Sequence, residues 1–190
     1  MNLRDLVILV ADASSYMTML IHSMLRAFGA NKVCEVRSSL QVLQVLSSQR
    51  VDILLCDARL PSLGGLKLTR AIRGRVDNEH RTLPIVMMSA DSSEVMIKQA
   101  RDAGANMVIA KPLSPASLYD RLSWVAFHPR KFVDTETYFG PDRRFKIEGY
   151  PNGVGRRKGD KVLEVAQESG PALAQGDIDN LFSAVRTGQD

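Results

Sequence analysis

The chain alternates short apolar runs with amphipathic segments, and this alternation restricts its fold more than any other feature. Five of the apolar runs are continuous, as is typical of strands buried on both faces of a sheet. The segments between them repeat apolar residues at i, i+3 and i+4, as helices do. Five successive βα units predict an α/β fold with a doubly wound five-stranded parallel sheet. The strand candidates are 6–11, 32–36, 52–56, 84–89 and 106–111.

Length and composition favour one domain followed by a tail. The 190 residues exceed the size of a typical single core, about 100–150 residues, by too little for two full domains. No apolar run approaches the roughly 20 residues that span a bilayer, and the start lacks a basic-then-apolar leader. We therefore expect a cytoplasmic protein without membrane contact. Cys34 and Cys56 lie in strand-like runs without a CxxC pair, which favours buried reduced thiols.

Charge divides the chain into three parts. Residues 1–127 carry 15 Lys/Arg against 11 Asp/Glu, residues 128–161 carry 9 against 5, and residues 162–190 carry 1 against 5. A basic connection thus joins a mildly basic domain to an acidic end. We predict a domain over 1–127, a linker rich in Gly, Pro and Arg over 128–170, and an amphipathic helix within 171–190.

Polar side chains follow four of the predicted strands. In a doubly wound sheet the carboxyl ends of the strands carry the chemistry. The residues there are Asp12, Asp57, Ser89 and Lys111. Two carboxylates suit Mg²⁺, which takes hard oxygen ligands, and a hydroxyl with an ammonium suits phosphoryl oxygens. Each residue alone is a common strand-end or turn residue, and their occurrence at successive strand ends predicts a phosphoryl-transfer site.

The segments ILVADAS, LLCDARLPSLGGLKL, PIVMMSAD and GANMVIAKPLS resemble the signature segments of response-regulator receiver domains of the chemotaxis-regulator type, over about residues 4–127. The resemblance implies a flavodoxin-like fold and phosphorylation of Asp57 by a histidine kinase or a phosphotransfer protein. It also implies that Asp57, Asp12 and the Arg59 carbonyl hold Mg²⁺. Ser89 and Lys111 then bind the phosphoryl group, next to a cis Lys111–Pro112 bond. Such a protein is a phosphoacceptor with at most weak self-directed phosphoryl transfer and hydrolysis, not an enzyme.

Two positions depart from the family pattern. Ala11 stands where the family has the first residue of an acidic pair, and Val108 stands at the position of an aromatic switch residue. One carboxylate fewer removes a Coulomb term of roughly 4 kcal/mol at about 4 Å and a dielectric near 20, before solvation offsets it. We expect weaker Mg²⁺ binding, not its loss. A β-branched aliphatic such as Val108 has no polar end to expose, so we expect switching through the loop after Ser89 and the fourth helix.

The basic connection has two interpretations. Frequent Gly, Pro and Asn favour turns and a mostly disordered, solvated tether. Alternatively, the arginine pairs beside aromatic residues suit an anion. The segment YFGPDRR resembles the extension of alphaproteobacterial single-receiver regulators, and some arginine-rich extensions of this kind bind cyclic di-GMP. The candidate anion-binding residues are Arg143, Arg144, Arg156 and Arg157. No helix-turn-helix pattern follows residue 127, so we expect no DNA binding.

The acidic end contains a short helical pattern. Ile178, Leu181 and Phe182 fall on one face, and Asp179 lies in the first turn, where the helix dipole favours negative charge. So short a helix needs a partner groove, unless the pattern is fortuitous. LAQGDIDNLF resembles the peptide of the flagellar switch protein on which phosphorylated chemotaxis regulators dock. It implies docking on this chain's own receiver domain or on another.

Three functions therefore compete on the sequence alone. The first is a phosphorylated switch that acts through protein–protein contacts, in chemotaxis or motility. The second is an adaptor that binds a nucleotide through the arginine-rich linker. The third is an interaction protein whose tail docks on a receiver domain, which includes a scaffold that is not phosphorylated. We favour the first, with the tail as its output segment.

Overall fold

The five predicted strands form one parallel sheet in a computed structural model that describes residues 3–74, 79–143 and 161–163. The strand order is β2-β1-β3-β4-β5, so β1 lies between β2 and β3 and the order reverses there. Leu9, for example, pairs with Cys34 on one side and with Leu54 on the other. The predicted α/β class and five-stranded sheet are confirmed. The strands are β1 (Val7–Ala11), β2 (Lys32–Val36), β3 (Ile53–Asp57), β4 (Ile85–Ser89) and β5 (Met107–Ala110).

Helices connect the strands, and serines start most of them. The helices are α1 (Ser15–Ala27), α2 (Ser39–Ser48), α3 (Gly65–Gly74), α4 (Glu94–Ala103) and α5 (Pro115–Phe127), with a short 3₁₀ helix over Glu79–Thr82. The side chain of the serine before α1, α2, α4 and α5 accepts a hydrogen bond from a backbone N–H of the first turn. Such a cap satisfies a donor that the helix leaves unpaired. No helix of the described residues is long and apolar enough to cross a membrane.

Apolar side chains fill both faces of the sheet. On one face α1 and α5 cover β1, β3 and β4, and on the other α2 and α3 cover the same strands. Helix α4 completes the second face with a smaller contact, through the buried side chains of Met96, Ala100 and Ala103. Helix α3 approaches β3 very closely at its first residue. A Cβ on Gly65 would lie 2.4 Å from the Asp57 carbonyl oxygen, so this position requires glycine.

A β-hairpin follows α5. Strands β6 (Phe132–Thr135) and β7 (Tyr138–Pro141) pair antiparallel, and the backbone of β8 (Lys161–Leu163) pairs with β6 on its other side. The turn between β6 and β7 has two residues, and the Thr135 hydroxyl closes it by accepting from the Tyr138 N–H at 3.0 Å and donating to the Tyr138 carbonyl at 3.1 Å.

The expected solvated tether is wrong for residues 132–141. The physical reason is that Phe132 and Phe139 are buried, at 3% and 8% exposure, and cover two arginines of the α/β fold. The Phe132 ring lies 5.1 Å from the Arg73 guanidinium carbon, and the Phe139 ring lies 3.5 Å from that of Arg81. A cation over an aromatic face, together with the buried rings, favours a docked hairpin over a solvated one. The domain boundaries themselves stay predictions.

Candidate functional site

Three side chains meet at the carboxyl edge of the sheet. Asp12 follows β1, Asp57 ends β3, and Lys111 follows β5. The Lys111 Nζ donates to Asp12 Oδ2 at 2.5 Å and to Asp57 Oδ1 at 2.8 Å. The Lys111–Pro112 bond is cis, as the resemblance implied. The sequence therefore placed these residues correctly, because parallel strands bring their carboxyl ends to one edge.

Lys111 is a charged donor held between two acceptors. Burial lowers the pKa of its ammonium, but the hydrogen bonds that it donates to Asp12 and Asp57, together with their negative charges, outweigh burial, and the pKa rises above the usual 10.5. The ammonium therefore stays protonated at neutral pH and presents positive charge beside Asp57. A cation in this position can stabilise the charge of a transferring phosphoryl group.

Each carboxylate also accepts from the backbone. Asp12 Oδ1 accepts from the Ser14 N–H at 2.9 Å, and Asp57 Oδ2 accepts from the Arg59 N–H at 3.2 Å. Asp12 is 3% exposed, whereas Asp57 is partly accessible. The backbone bonds fix the orientation of both carboxylates, and Asp57 is the one that an incoming donor can reach.

The donor atoms fit a hard divalent cation. Mg²⁺ typically takes one or two carboxylates together with water and phosphate oxygens. Asp12 and Asp57 supply two carboxylates, while Ala11 is fully buried beside Cys56 and supplies none. Over the described residues, no group of three or more His, Cys, Asp or Glu is arranged to hold a metal. The site thus offers two acidic ligands, and the role of the Arg59 carbonyl stays a prediction.

Cys56 lies beneath the site and is chemically silent. Its side chain is fully buried in the apolar layer under α2 and α3. Burial, together with the charges of Asp57 and Asp12, raises the pKa of the thiol to about 12. The thiol stays neutral at physiological pH and is not a nucleophile. Neither cysteine forms a disulfide. Cys56 is buried as expected, whereas Cys34 is only half-buried, and the reduced state of both stays a prediction.

Ser89 links the site to α4. Its hydroxyl is 4% exposed, and its Oγ accepts from the Asp91 N–H at 3.1 Å. The Asp91 carboxylate accepts from the Ser93 N–H at 2.9 Å, and Ser93 is the cap of α4. The sequence contained Asp91 in a signature segment but gave no signal of this connection, because the turn that forms it is irregular.

Val108 lies half-buried on β5, where it packs against a small cluster under α4. Met87, Met96 and Ala100 form most of that cluster. Methionine side chains are flexible and adapt to small shifts of their neighbours. Val108 therefore packs against side chains that can adjust to small shifts. Switching through the loop after Ser89 and α4 stays a prediction.

Of the candidate residues predicted for anion binding and docking, the structure describes one, Arg143. Arg143 lies with its guanidinium carbon 3.8 Å from the Tyr138 ring centroid and forms a 3.3 Å ion pair with Asp102. It therefore contacts the chain itself. The others lie outside the described residues: Arg144, Arg156, Arg157, Ile178, Asp179, Leu181 and Phe182.

Comparison with known proteins decides the family. The model of the response regulator receiver domain matches residues 8–123. The chain belongs to this family. A receiver domain of a two-component system is a phosphoacceptor signalling module.

Individual relatives agree with this assignment. Chemotaxis protein CheY-3 of Vibrio cholerae serotype O1 is 31% identical over 119 residues, which are 63% of this chain and 90% of that protein. The sensory/regulatory protein RpfC of Xanthomonas campestris pv. campestris is 29% identical over 136 residues, 72% of this chain but 19% of that protein.

Solved structures share the fold. The receiver domain of sensor histidine kinase PA1611 from Pseudomonas aeruginosa PAO1, solved with a magnesium ion coordinated in the active site cleft, is 32% identical with a TM-score of 0.56. It aligns with 62% of this chain and 94% of its own length. Chemotaxis response regulator CheY4 of Vibrio cholerae has a TM-score of 0.59 at 22% identity, covers 63% of this chain and 98% of that one, and supports the fold alone.

Proposed function

We propose that this receiver domain is a response regulator phosphorylated on Asp57 in a Mg²⁺-dependent reaction. The observation that carries the proposal is the position of the Lys111 ammonium between Asp12 and Asp57 at the accessible edge of the sheet. A histidine kinase or a phosphotransfer protein is the donor. The output is a protein–protein contact in chemotaxis or motility, a role that the names of the chemotaxis relatives suggest.

The reaction is a phosphoryl transfer to a carboxylate. An Asp57 oxygen attacks phosphorus, and the bond from phosphorus to the donor nitrogen breaks with its electron pair left on nitrogen. Bound Mg²⁺ supplies positive charge for the phosphoryl oxygens, and Asp12, Asp57 and the Arg59 carbonyl are the residues that would hold it. Lys111 adds a second positive charge, and the Ser89 hydroxyl donates to a phosphoryl oxygen.

Labelling with a small phosphodonor tests this function. The full chain incubated with acetyl phosphate and Mg²⁺ should gain one phosphoryl group by mass spectrometry, and chelation of Mg²⁺ should abolish the gain. Asp57→Asn should take up none, while Asp52→Asn, which alters an aspartate at the opposite edge of the sheet, should be labelled normally. Equal labelling of wild type and Asp57→Asn would contradict the proposal, and no labelling of either at saturating Mg²⁺ would favour a scaffold that is not phosphorylated.

The finer assignments concern the C-terminal extension. We place the protein with the alphaproteobacterial single-receiver regulators that carry YFGPDRR, in the cytoplasm and without a DNA-binding output. The segment around Ile178, Asp179 and Phe182 is proposed to dock on a receiver domain, either its own or another. Pull-down of a separate receiver domain by the phosphorylated full chain, beside a chain lacking 170–190, tests this. Capture should be lost without the tail if the tail docks on another receiver domain, and it should rise if the tail docks on its own. Unchanged capture would contradict docking.

Cyclic di-GMP binding by the arginine-rich segment is the weaker alternative. It requires accessible arginines, and Arg143 is already stacked on Tyr138 and paired with Asp102. Titration of the full chain with cyclic di-GMP tests the alternative. Binding that is lost in a variant with Arg156 and Arg157 replaced by alanine would establish it, and no binding would exclude it.

A further inference from the structure

We propose that the β6–β7 hairpin (residues 132–141) clamps the C-terminal end of α4 in its unphosphorylated position, so that phosphorylation of Asp57 loosens the hairpin. The inference rests on the proposed function, since it needs a phosphoryl group at Asp57. The proposed route runs from Asp57 along α4 to the hairpin, which lies at the opposite end of that helix.

The route begins with a chain of short hydrogen bonds. Ser89 Oγ accepts from the Asp91 N–H, and the Asp91 carboxylate accepts from the Ser93 N–H. Ser93 Oγ in turn accepts from the Met96 N–H at 3.3 Å and caps α4. A Ser89 hydroxyl that donates to a phosphoryl oxygen on Asp57 is drawn toward Asp57, and we expect this shift to weaken the bond that its Oγ accepts from the Asp91 N–H. The support at the N-terminal end of α4 then changes.

Helix α4 is suited to respond because the core holds it weakly. Its buried side chains are one methionine and two alanines, Met96, Ala100 and Ala103, whereas Val95 and Ile97 are 65% and 45% exposed. Burial of small side chains contributes little apolar area. Contacts outside the core therefore have a large share in fixing the position of α4.

The hairpin supplies such contacts at the other end of α4. The helix ends at Gly104, which adopts a left-handed φ of 97°. A Cβ on Gly104 would lie 3.2 Å from the Phe139 carbonyl oxygen, and a Cβ on Gly140 would lie 3.0 Å from the Gly104 Cα. The two backbones are thus in direct contact, and a shift of α4 cannot leave the hairpin undisturbed.

Side chains reinforce the same junction. Arg143, just after β7, stacks on Tyr138 and forms its ion pair with Asp102 in the last turn of α4. From α3, the buried Arg73 donates from Nε to the Gly104 carbonyl at 3.0 Å while its guanidinium faces the Phe132 ring. The end of α4 is therefore held between α3 and the hairpin.

Linkage fixes the direction of the effect. The hairpin fits α4 in the arrangement in which Ser89 accepts from Asp91, so it stabilises that arrangement relative to any other. If the hairpin stabilises the unphosphorylated arrangement, it weakens binding of any group that favours the other arrangement. By linkage, a group bound in the other arrangement weakens docking of the hairpin by the same factor. A phosphoryl group on Asp57 should loosen the hairpin, and a weakened hairpin should tighten binding of a phosphoryl mimic.

Hydrogen exchange of the full chain tests both directions. With Mg²⁺ and saturating beryllofluoride, a mimic of the phosphoryl group, amides of residues 132–141 and of the last turn of α4 should exchange about five-fold faster or more, the lower end of common coupling. Arg143→Ala should speed exchange of the same amides without the mimic. It should also lower the beryllofluoride concentration needed for half-saturation by about the same factor.

Controls separate the inference from the proposed function. Arg121→Ala removes an exposed arginine from α5, outside the hairpin and α4, and should change neither quantity. Binding of beryllofluoride is followed independently by fluorine NMR of the bound complex. If the complex forms and hairpin exchange stays unchanged, the clamp is wrong while the proposed function stands. If no complex forms with Mg²⁺ present, the proposed function fails and the coupling with it.

Discussion

At the scale of single residues, the site follows from a few atoms with defined partners. Lys111 is held by two carboxylates, each of which is oriented by a backbone N–H. This arrangement leaves Mg²⁺ with two acidic ligands, because the neighbouring position is occupied by Ala11.

We predict that Ala11→Asp tightens Mg²⁺ binding by about ten-fold, which corresponds to about 1.4 kcal/mol. The added carboxylate attracts the cation, but it also occupies a fully buried position. In the absence of Mg²⁺ the free energy of unfolding should fall by more than about 1–3 kcal/mol, the cost of burying an uncharged polar group, because the added carboxylate is charged. Calorimetric titration and urea unfolding measure the two effects. Ala11→Asn has the same shape without the charge, and equal Mg²⁺ affinity of the two variants would contradict the electrostatic explanation.

At the scale of elements, the sequence predicted the sheet well and the hairpin poorly. Continuous apolar runs identify strands that are buried on both faces of a sheet. Every predicted strand of the sheet was found within one residue of its range at either end. The hairpin strands have four residues each, and their two-residue turn is Glu136-Thr137. Hairpin turns are usually recognised by Asn-Gly or Asp-Gly, which this turn lacks. A hydroxyl from Thr135 closes it instead, and no sequence rule identifies that.

The burial of Arg73 could not be predicted from the sequence either, because there it is an ordinary basic residue at the end of α3. In the structure it is 2% exposed and donates to Gly104 and Leu83 carbonyls and to the Asn106 side chain. Burial lowers its pKa to about 9, so it remains charged at pH 7. With the Arg81 carbonyl, which accepts at 2.8 Å, Arg73 has four acceptors: three backbone carbonyls and one side chain. Spacing along the chain cannot indicate such a role.

We predict that Arg73→Ala lowers the free energy of unfolding by about 3–5 kcal/mol. Removing the guanidinium leaves buried carbonyl groups without donors, at about 1–3 kcal/mol each, and it opens a void beside Phe132. Urea unfolding followed by circular dichroism measures the loss. Arg70→Ala, one turn earlier on the exposed side of α3, should change stability by less than about 0.5 kcal/mol. A change below about 1 kcal/mol for Arg73→Ala would show that this network is not structurally important.

At the scale of the whole molecule, the receiver fold and the hairpin share one packing surface. The sequence suggested a boundary at residue 127, where charge and composition change, because a hairpin that depends on tertiary contacts has little local signal. Phe132 and Phe139 contact arginines that belong to α3 and to the 3₁₀ helix. Stability should therefore depend on residues beyond the predicted boundary.

Truncation measures where the folded unit ends. We predict that a chain ending at residue 127 has a free energy of unfolding about 2–4 kcal/mol lower than a chain ending at residue 143. Burial of one phenylalanine contributes about 1.5–3 kcal/mol. The entropy of ordering the hairpin offsets part of the contribution of the two phenylalanines, Phe132 and Phe139. The chain ending at 143 lacks only β8 among the described strands, so its stability should lie nearer that of the full chain. Urea unfolding of the three chains at one pH gives the comparison. Equal stability of the chains ending at 127 and at 143 would place the boundary at 127. It would also mean that the hairpin docks without net stabilisation, so that it could leave α4 at little cost in free energy.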